Sequence, residues 1–322
     1  MRGELAQHLN EFIDGVNQAI AKAKEDGVTA TPELARENLA KLGAFVSQVP
    51  KIAYAEENYV FADQVEVPVR VYSPSPKEEL PVVIYFHGGG HMCGSTELYD
   101  PMCRKIAIAA KCVVVSVDYR LSPEFPYPAG INDCEDVVRG YHQVLKDVSY
   151  GNEVIIAGDS AGGAICSTLA IRAQKDKSLK IDKQVLIYPS VDYTMSEPSV
   201  EENGTGFLLE KTRIQWYFDN YFDDYEDRKE MSPLYGEFDA SMPESLVIIA
   251  GCDPLRDEGL EYAKKLKAAG VNVDVREFKN MIHAFMNIED LVPDECRELY
   301  QLIGDFVNQT DESVTETSTP HQ

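Results

Sequence analysis

The chain has 322 residues, 44% hydrophobic and 26% charged, a composition that fits a globular protein with room for one large α/β domain or two smaller ones. Against 30 Lys and Arg stand 54 Asp and Glu, a formal charge of −24 that repels phosphate backbones and anionic membranes, so nucleic acid and membrane are excluded as expected partners. The seven cysteines (Cys93, Cys103, Cys112, Cys134, Cys166, Cys252 and Cys296) show no CxxC pair or metal-ligand spacing, and predict reduced thiols, mostly buried, with no metal site.

The start, "MRGELAQHLNEFIDGVNQAIAKAKEDG", lacks the apolar core of a signal peptide, and no run of about 18 apolar residues occurs anywhere; a cytoplasmic protein is expected. Leu5, Leu9, Phe12, Ile13, Val16 and Ile20 recur at helical spacing and predict an amphipathic helix. A second helix is predicted from "TPELARENLAKLGAFV", with Thr31 as its cap and Pro32 in its first position. Val65, Val67, Val69 and Val71 then alternate with Glu66, Pro68, Arg70 and Tyr72, the pattern of a half-buried strand, placed near a sheet edge because Pro68 cannot donate to a ladder.

Beyond this point the runs become continuously apolar: "PVVIYF" (81–86), "CVVVSV" (112–117), "VIIA" (154–157), "QVLIY" (184–188) and "SLVIIA" (245–250), closed by the partly alternating "VNVDVREF" (271–278). Such runs suit strands covered on both faces, and the helical patterns between them suit crossovers in a mainly parallel sheet with antiparallel strands at its start. Residues 191–235 interrupt this rhythm with an aromatic-rich helical insertion that carries Phe207, the single Trp216, Tyr217, Phe218, Tyr221 and Phe222. It reads equally as a satellite core or as the lining of an apolar pocket. The last residues, "NQTDESVTETSTPHQ", have little to bury and predict a disordered tail.

The stretch "GDSAG" at 158–162 follows the strand "VIIA" and precedes the helical "AICSTLAIRA". A serine between glycines at such a junction is either a tight turn without chemistry or a nucleophile on a sharp elbow. As a nucleophile Ser160 needs a base held by a carboxylate and donors for an oxyanion. His8, His142 and His321 sit in polar or mixed segments and read as surface residues, while His283 in "NMIHAF" follows the last strand run. Asp253 ends "SLVIIAGC", 30 residues before His283, with Asp192 as the runner-up acid; Asp257 and Glu258 suit the first turn of the following helix. Ser160, Asp253 and His283 therefore stand in the chain order Ser, Asp, His. Three glycines, Gly88, Gly89 and Gly90, follow His87 at the end of "PVVIYF" and, with the Ala161 amide, form a candidate oxyanion hole; no Lys-Ser/Thr completes a phosphate loop.

Together, "HGGG", "DYRLSPEFPYPA", "GDSAGG", "CDPLRDEG" and "IHAF" resemble the hormone-sensitive-lipase-like branch of the α/β-hydrolases, over roughly residues 55–305. The resemblance implies an eight-stranded, mostly parallel sheet flanked by helices, with a helical cap. The expected organisation is residues 1–50 as the N-terminal part of the cap, 51–190 and 236–307 as the two parts of the core, 191–235 as the cap insertion and 308–322 as the tail. It also implies hydrolysis of short- to medium-chain carboxylic esters without a cofactor. Carried over by residue, Ser160 is the nucleophile, Asp253 the acid, His283 the base, and Gly89, Gly90 and Ala161 the oxyanion donors; His87 shapes the glycine loop. Phe207, Leu208 and Trp216 are the candidate substrate-binding residues. His91 departs from the pattern, since an aromatic residue commonly follows the glycines. Another acyl hydrolase (deacetylase, amidase or lactonase) shares every residue named, a lipase and a non-catalytic receptor are remoter alternatives, and a homodimer is left open.

Overall fold

The computed structural model describes residues 1–63 and 65–309. Eight strands, β1 (Tyr54–Phe61), β2 (Glu66–Ser73), β3 (Leu80–Phe86), β4 (Val113–Val117), β5 (Tyr150–Asp159), β6 (Lys183–Ile187), β7 (Glu244–Cys252) and β8 (Val273–Ile282), form one sheet. Their order is β1-β2-β4-β3-β5-β6-β7-β8. Only β2 runs against the rest, pairing antiparallel with β1 and β4, while β4 through β8 are joined by parallel ladders. This is the α/β-hydrolase architecture that the sequence motifs implied.

Ten α-helices accompany the sheet among the described residues: α1 (Asn10–Glu25), α2 (Pro32–Leu42), α3 (Asp100–Ala109), α4 (Ala129–Gly140), α5 (Ala161–Lys175), α6 (Pro198–Asn203), α7 (Lys211–Tyr221), α8 (Arg228–Met231), α9 (Arg256–Ala268) and α10 (Pro293–Val307). Thr31 caps α2, its hydroxyl accepting from the Leu34 amide at 3.2 Å with Pro32 in the first turn. Alternate strand residues feed two cores. Val83 and Tyr85 join α1, α3 and α10 on one face, and Val82, Ile84 and Phe86 join α4, α5 and α9 on the other. Burial on both faces is why these strands read as continuous apolar runs.

β2 lies one strand in from the sheet edge, near which Pro68 placed it: β1 covers its outer side and pairs Tyr59 with Pro68. The proline is tolerated because the β2–β4 ladder stops at Val69–Val117; past it only the Pro68 carbonyl is used, accepting from Asp118 N at 3.0 Å. β1 itself carries Glu56, Glu57 and a largely exposed burial pattern, so it has no apolar alternation from which to be read. The tail expected over 308–322 lies, from residue 310 on, outside the described residues. All seven cysteines are buried and unpaired, and no helix among the described residues is long and apolar enough to cross a membrane.

At the opposite end of the sheet from the candidate catalytic residues, Lys183 is 5% exposed at the start of β6. Its ammonium donates to the carbonyls of Phe306, Val307 and Gln309 at 3.3, 3.3 and 2.8 Å, and pairs with Glu153 at 2.9 Å. A cation at the C-terminus of α10 thus satisfies carbonyls that the helix leaves open. Lys183→Met is expected to lower stability by about 1–3 kcal/mol in urea unfolding and to speed amide exchange in the last turn of α10; unchanged exchange there would refute the capping role.

Candidate active site

The parallel strands deliver their C-terminal ends to one side of the sheet, where open α/β proteins assemble their sites. β5 stops at Asp159 and α5 starts at Ala161, leaving Ser160 alone at the turn with φ 52° and ψ −117°. This is a conformation that L side chains rarely adopt, at a cost of about 1–3 kcal/mol. Three hydrogen bonds hold it: Ser160 N donates to Ile187 O at 2.9 Å, and Ser160 O accepts from Ser190 N at 3.1 Å and Ala164 N at 3.2 Å. The flanking glycines are steric necessities. A Cβ on Gly162 would overlap the Phe86 carbonyl oxygen, and one on Gly158 would come within 2.5 Å of the Gly162 carbonyl carbon.

The structure brings Ser160, His283 and Asp253 together. His283, just past β8, has Nε2 2.9 Å from Ser160 Oγ and Nδ1 2.6 Å from Asp253 Oδ2. Asp253, just past β7, is fully buried, and its Oδ1 accepts from Leu255 N at 2.8 Å. With Nδ1–H donating to the carboxylate, Nε2 is the free base facing the serine hydroxyl. The runner-up Asp192 is committed elsewhere, accepting from the amides of Thr194 and Ser196 at 2.9 and 3.0 Å.

The glycine loop changes one assignment. Gly88 N donates to Asp159 Oδ1 at 2.8 Å, so Gly88 is withdrawn from the oxyanion set. Among the described residues the amides of Gly89, Gly90 and Ala161 donate to no other group of the chain and are free for a ligand oxygen. Gly89 and Gly90 have φ 126° and 63°. Asp159 is 1% exposed and also accepts from Tyr85 Oη at 2.8 Å and Tyr99 Oη at 2.9 Å. Burial raises its carboxyl pKa, and these donors pull the other way.

Both histidines around the glycines are buried. His87 stacks on Tyr119 at 4.4 Å, donates from Nδ1 to Gly88 O at 2.8 Å, and is held neutral by a burial-lowered pKa. His91 turns into the insertion, parallel to Tyr221 at 4.0 Å with Nε2 3.2 Å from Tyr193 Oη. Its pKa is pushed down to about 3 by burial and secondarily by His87. The position that departs from the family pattern therefore still carries a flat, uncharged ring.

Of the candidate substrate residues, Phe207 does not fit that role: it is 7% exposed within a core cluster, and the Arg2 guanidinium covers its ring at 4.1 Å. Leu208, at φ 73°, packs against the same cluster, and Trp216 packs against Ala35, Met92 and Cys93. The neighbour of Trp216 is closer to the chemistry, since a Cβ on Gly90 would lie 2.6 Å from the Tyr217 ring. Nothing in the local sequence signals that contact, because α7 and the glycine loop are separated by more than a hundred residues.

Glu258 is more than a first-turn acid. It is fully buried, its Oε1 accepts from Val191 N at 2.7 Å and Asp192 N at 3.1 Å, and its Oε2 has no partner among the described residues. Burial first, then repulsion from Asp192, raises its pKa well above 4.5. A raised folded-state value stabilises the fold at low pH, and that contribution is lost as pH rises from about 4.5 toward the folded value. Glu258→Gln, which mimics the protonated carboxyl, is expected to flatten the decline in urea midpoint between about pH 5 and pH 8; parallel wild-type and variant curves would show that Glu258 does not titrate there.

A family model described as the alpha/beta hydrolase fold matches residues 83–287. Esterase LipI of Mycobacterium tuberculosis is 38% identical over 232 residues, 70% of this chain and 72% of its own length. Carboxylesterase NlhH of the same species is 35% identical over 277 residues, 83% and 85% of the two chains. Among solved structures, a hyperthermophilic esterase of the archaeon Pyrobaculum calidifontis superimposes with a TM-score of 0.83 at 30% identity, covering 94% of this chain and 98% of its own. The chain belongs to the α/β-hydrolase family, in the hormone-sensitive-lipase-like branch that its motifs resemble.

Proposed function

We propose that the protein is a serine carboxylesterase that cleaves short- to medium-chain esters through an acyl-enzyme intermediate. The observation that carries this reading is the relay from Ser160 Oγ to His283 Nε2 at 2.9 Å and from His283 Nδ1 to Asp253 Oδ2 at 2.6 Å, next to the free amides of Gly89, Gly90 and Ala161. Esterase and carboxylesterase relatives at 38% and 35% identity support the ester as the bond cleaved.

In this scheme Ser160 Oγ attacks the ester carbonyl carbon while His283 Nε2 takes its proton. The negative charge moves to the carbonyl oxygen, which the three amides receive, each donor worth about a hundred- to a thousandfold in turnover. Asp253 fixes the tautomer and faces the charge that arrives on the imidazole. When the C–O bond breaks, Nε2 protonates the departing alcohol. Water then attacks the acyl carbon, gives its proton to Nε2, and the acid leaves as the proton returns to Ser160 Oγ. No cofactor enters.

The helices of residues 1–50 and the 191–235 insertion act as the cap over this centre, with Tyr217 against the oxyanion loop and Leu208 and Trp216 as candidate acyl contacts. Ala35 of α2 and Trp216 of the insertion pack in one small cluster with Met92 and Cys93, which supports a single cap built from both segments. Seven buried, unpaired thiols support a reducing, cytoplasmic setting.

A p-nitrophenyl ester series from acetate to palmitate is expected to show activity concentrated on short chains, and Ser160→Ala should reduce kcat by about 10⁴-fold or more. His283→Ala, which removes the group facing the serine hydroxyl, should lower kcat on a comparable scale. Folded wild type inactive on every chain length would turn attention to amides and lactones.

A further inference from the structure

The loop that carries Asp253 is held from outside the sheet. Asn203, the last residue of α6, is fully buried, and its side-chain Nδ2 donates to Asp253 O at 3.0 Å and Gly251 O at 3.2 Å. Its Oδ1 accepts from Gly3 N at 2.8 Å. The amide orientation is fixed by these partners, since a flipped side chain would set oxygen against two carbonyl oxygens. Ser199, one turn earlier and also fully buried, donates to Pro254 O at 2.7 Å. The N-terminal segment lies flat against the same place, for a Cβ on Gly3 would be 2.6 Å from Gly251 O and 2.8 Å from Cys252 Cα. Arg2 donates to Glu202 O and Thr205 O, both at 2.8 Å, while Arg256 donates to Met1 O at 2.8 Å and pairs with Glu202 at 2.9 Å.

Resting on the esterase reading, we propose that Asn203 is a positioning residue: it clamps the Asp253 loop through two backbone carbonyls and so makes the His283–Asp253 contact depend on the insertion and the N-terminal segment. The ladder between β7 and β8 shifts register between Ala250 and Cys252 and resumes only in the pair Cys252–Ile282, so beyond Cys252 the Asp253 loop is held by contacts outside the ladder. Without Asn203 the two carbonyls keep only longer bonds from Arg256, N to Asp253 O at 3.2 Å and Nη1 to Gly251 O at 3.4 Å, so the loop loses its tighter restraint from the insertion. A carboxylate displaced by a fraction of an ångström no longer holds the imidazole in the attack geometry.

The test uses the full chain. Asn203→Ala is expected to lower kcat on p-nitrophenyl acetate by about ten- to a hundredfold, with KM within about twofold, and to shift or broaden the far-downfield proton resonance of the His283 Nδ1–H bond to Asp253. A residue that matters only for folding would not move that resonance in the folded protein. Asn203→Ser, which keeps one donor, should fall between the two, and it carries the test alone if the alanine variant does not fold. Arg2→Ala, which loosens the strap without touching the two carbonyls, should shift the resonance less than Asn203→Ala does. Folded Asn203→Ala with an unmoved resonance and kcat within about twofold of wild type would overturn the proposal. A wild type that shows the resonance but hydrolyses no ester would count against the esterase reading and leave the clamp to be judged on the resonance.

Discussion

The buried carboxylate of Asp159 is the joint on which the site is hung. It stands immediately before Ser160 at the end of β5 and receives Tyr85 Oη, Tyr99 Oη and Gly88 N. Burial penalises its charge, and three donors offset that penalty, so the group is tolerable only while all three stay in place. The glycine loop has no side chains with which to anchor itself. Asp159 therefore couples the turn at Ser160 to the glycine loop proposed to supply the oxyanion donors, and a displacement of one is felt by the other. This also gives Gly88 a physical reason distinct from oxyanion binding, since a Cβ there would overlap the same carboxylate.

Strain at Ser160 has the same logic. A non-glycine residue at φ 52° and ψ −117° persists only where its surroundings over-determine it. Here they include the bond to Ile187 O, two amides on the serine carbonyl, and glycines at 158 and 162 that let α5 approach Phe86. The cost of about 1–3 kcal/mol is small beside the burial of β3, β5 and β6 on both faces. The fold can hold the hydroxyl toward His283 before any substrate arrives.

Most of this architecture is legible in the sequence because the central strands are covered on both sides and read as unbroken apolar runs. The residues proposed as the relay are legible too: Ser160, Asp253 and His283 each sit one residue beyond a strand. β1 is not, because Glu56 and Glu57 sit on an exposed edge where no burial pattern forms. The contacts that refine the site also escape a linear reading. Tyr217 meets Gly90, and Asn203 meets Gly251 and Asp253, only after α7 and α6 fold across the strand ends. Phe207 shows the converse error: an aromatic in a predicted cap reads as pocket lining, while the structure uses it as a plate beneath Arg2. Asp159 was within reach, since a carboxylate between a buried strand and a buried helix must be paired, and donors had to exist.

Three histidines are buried near the strand ends, and one of them is placed as the proposed base requires. His87 and His91 lie against tyrosine rings and are kept neutral by burial, with no carboxylate bonded to either ring. A proton on His91 would face the desolvation cost of a buried charge, and on His87 that cost outweighs the attraction of Asp118 and Asp159. His283 differs in what it touches: Asp253 on one nitrogen and the Ser160 hydroxyl on the other. A charge formed there faces the Asp253 carboxylate at 2.6 Å, which is the placement the proposed ester cleavage needs for its imidazolium. The proposed chemistry thus turns on the placement of one carboxylate, whose backbone is held by Asn203 and Ser199 of α6 and packed against by the N-terminal segment at Gly3.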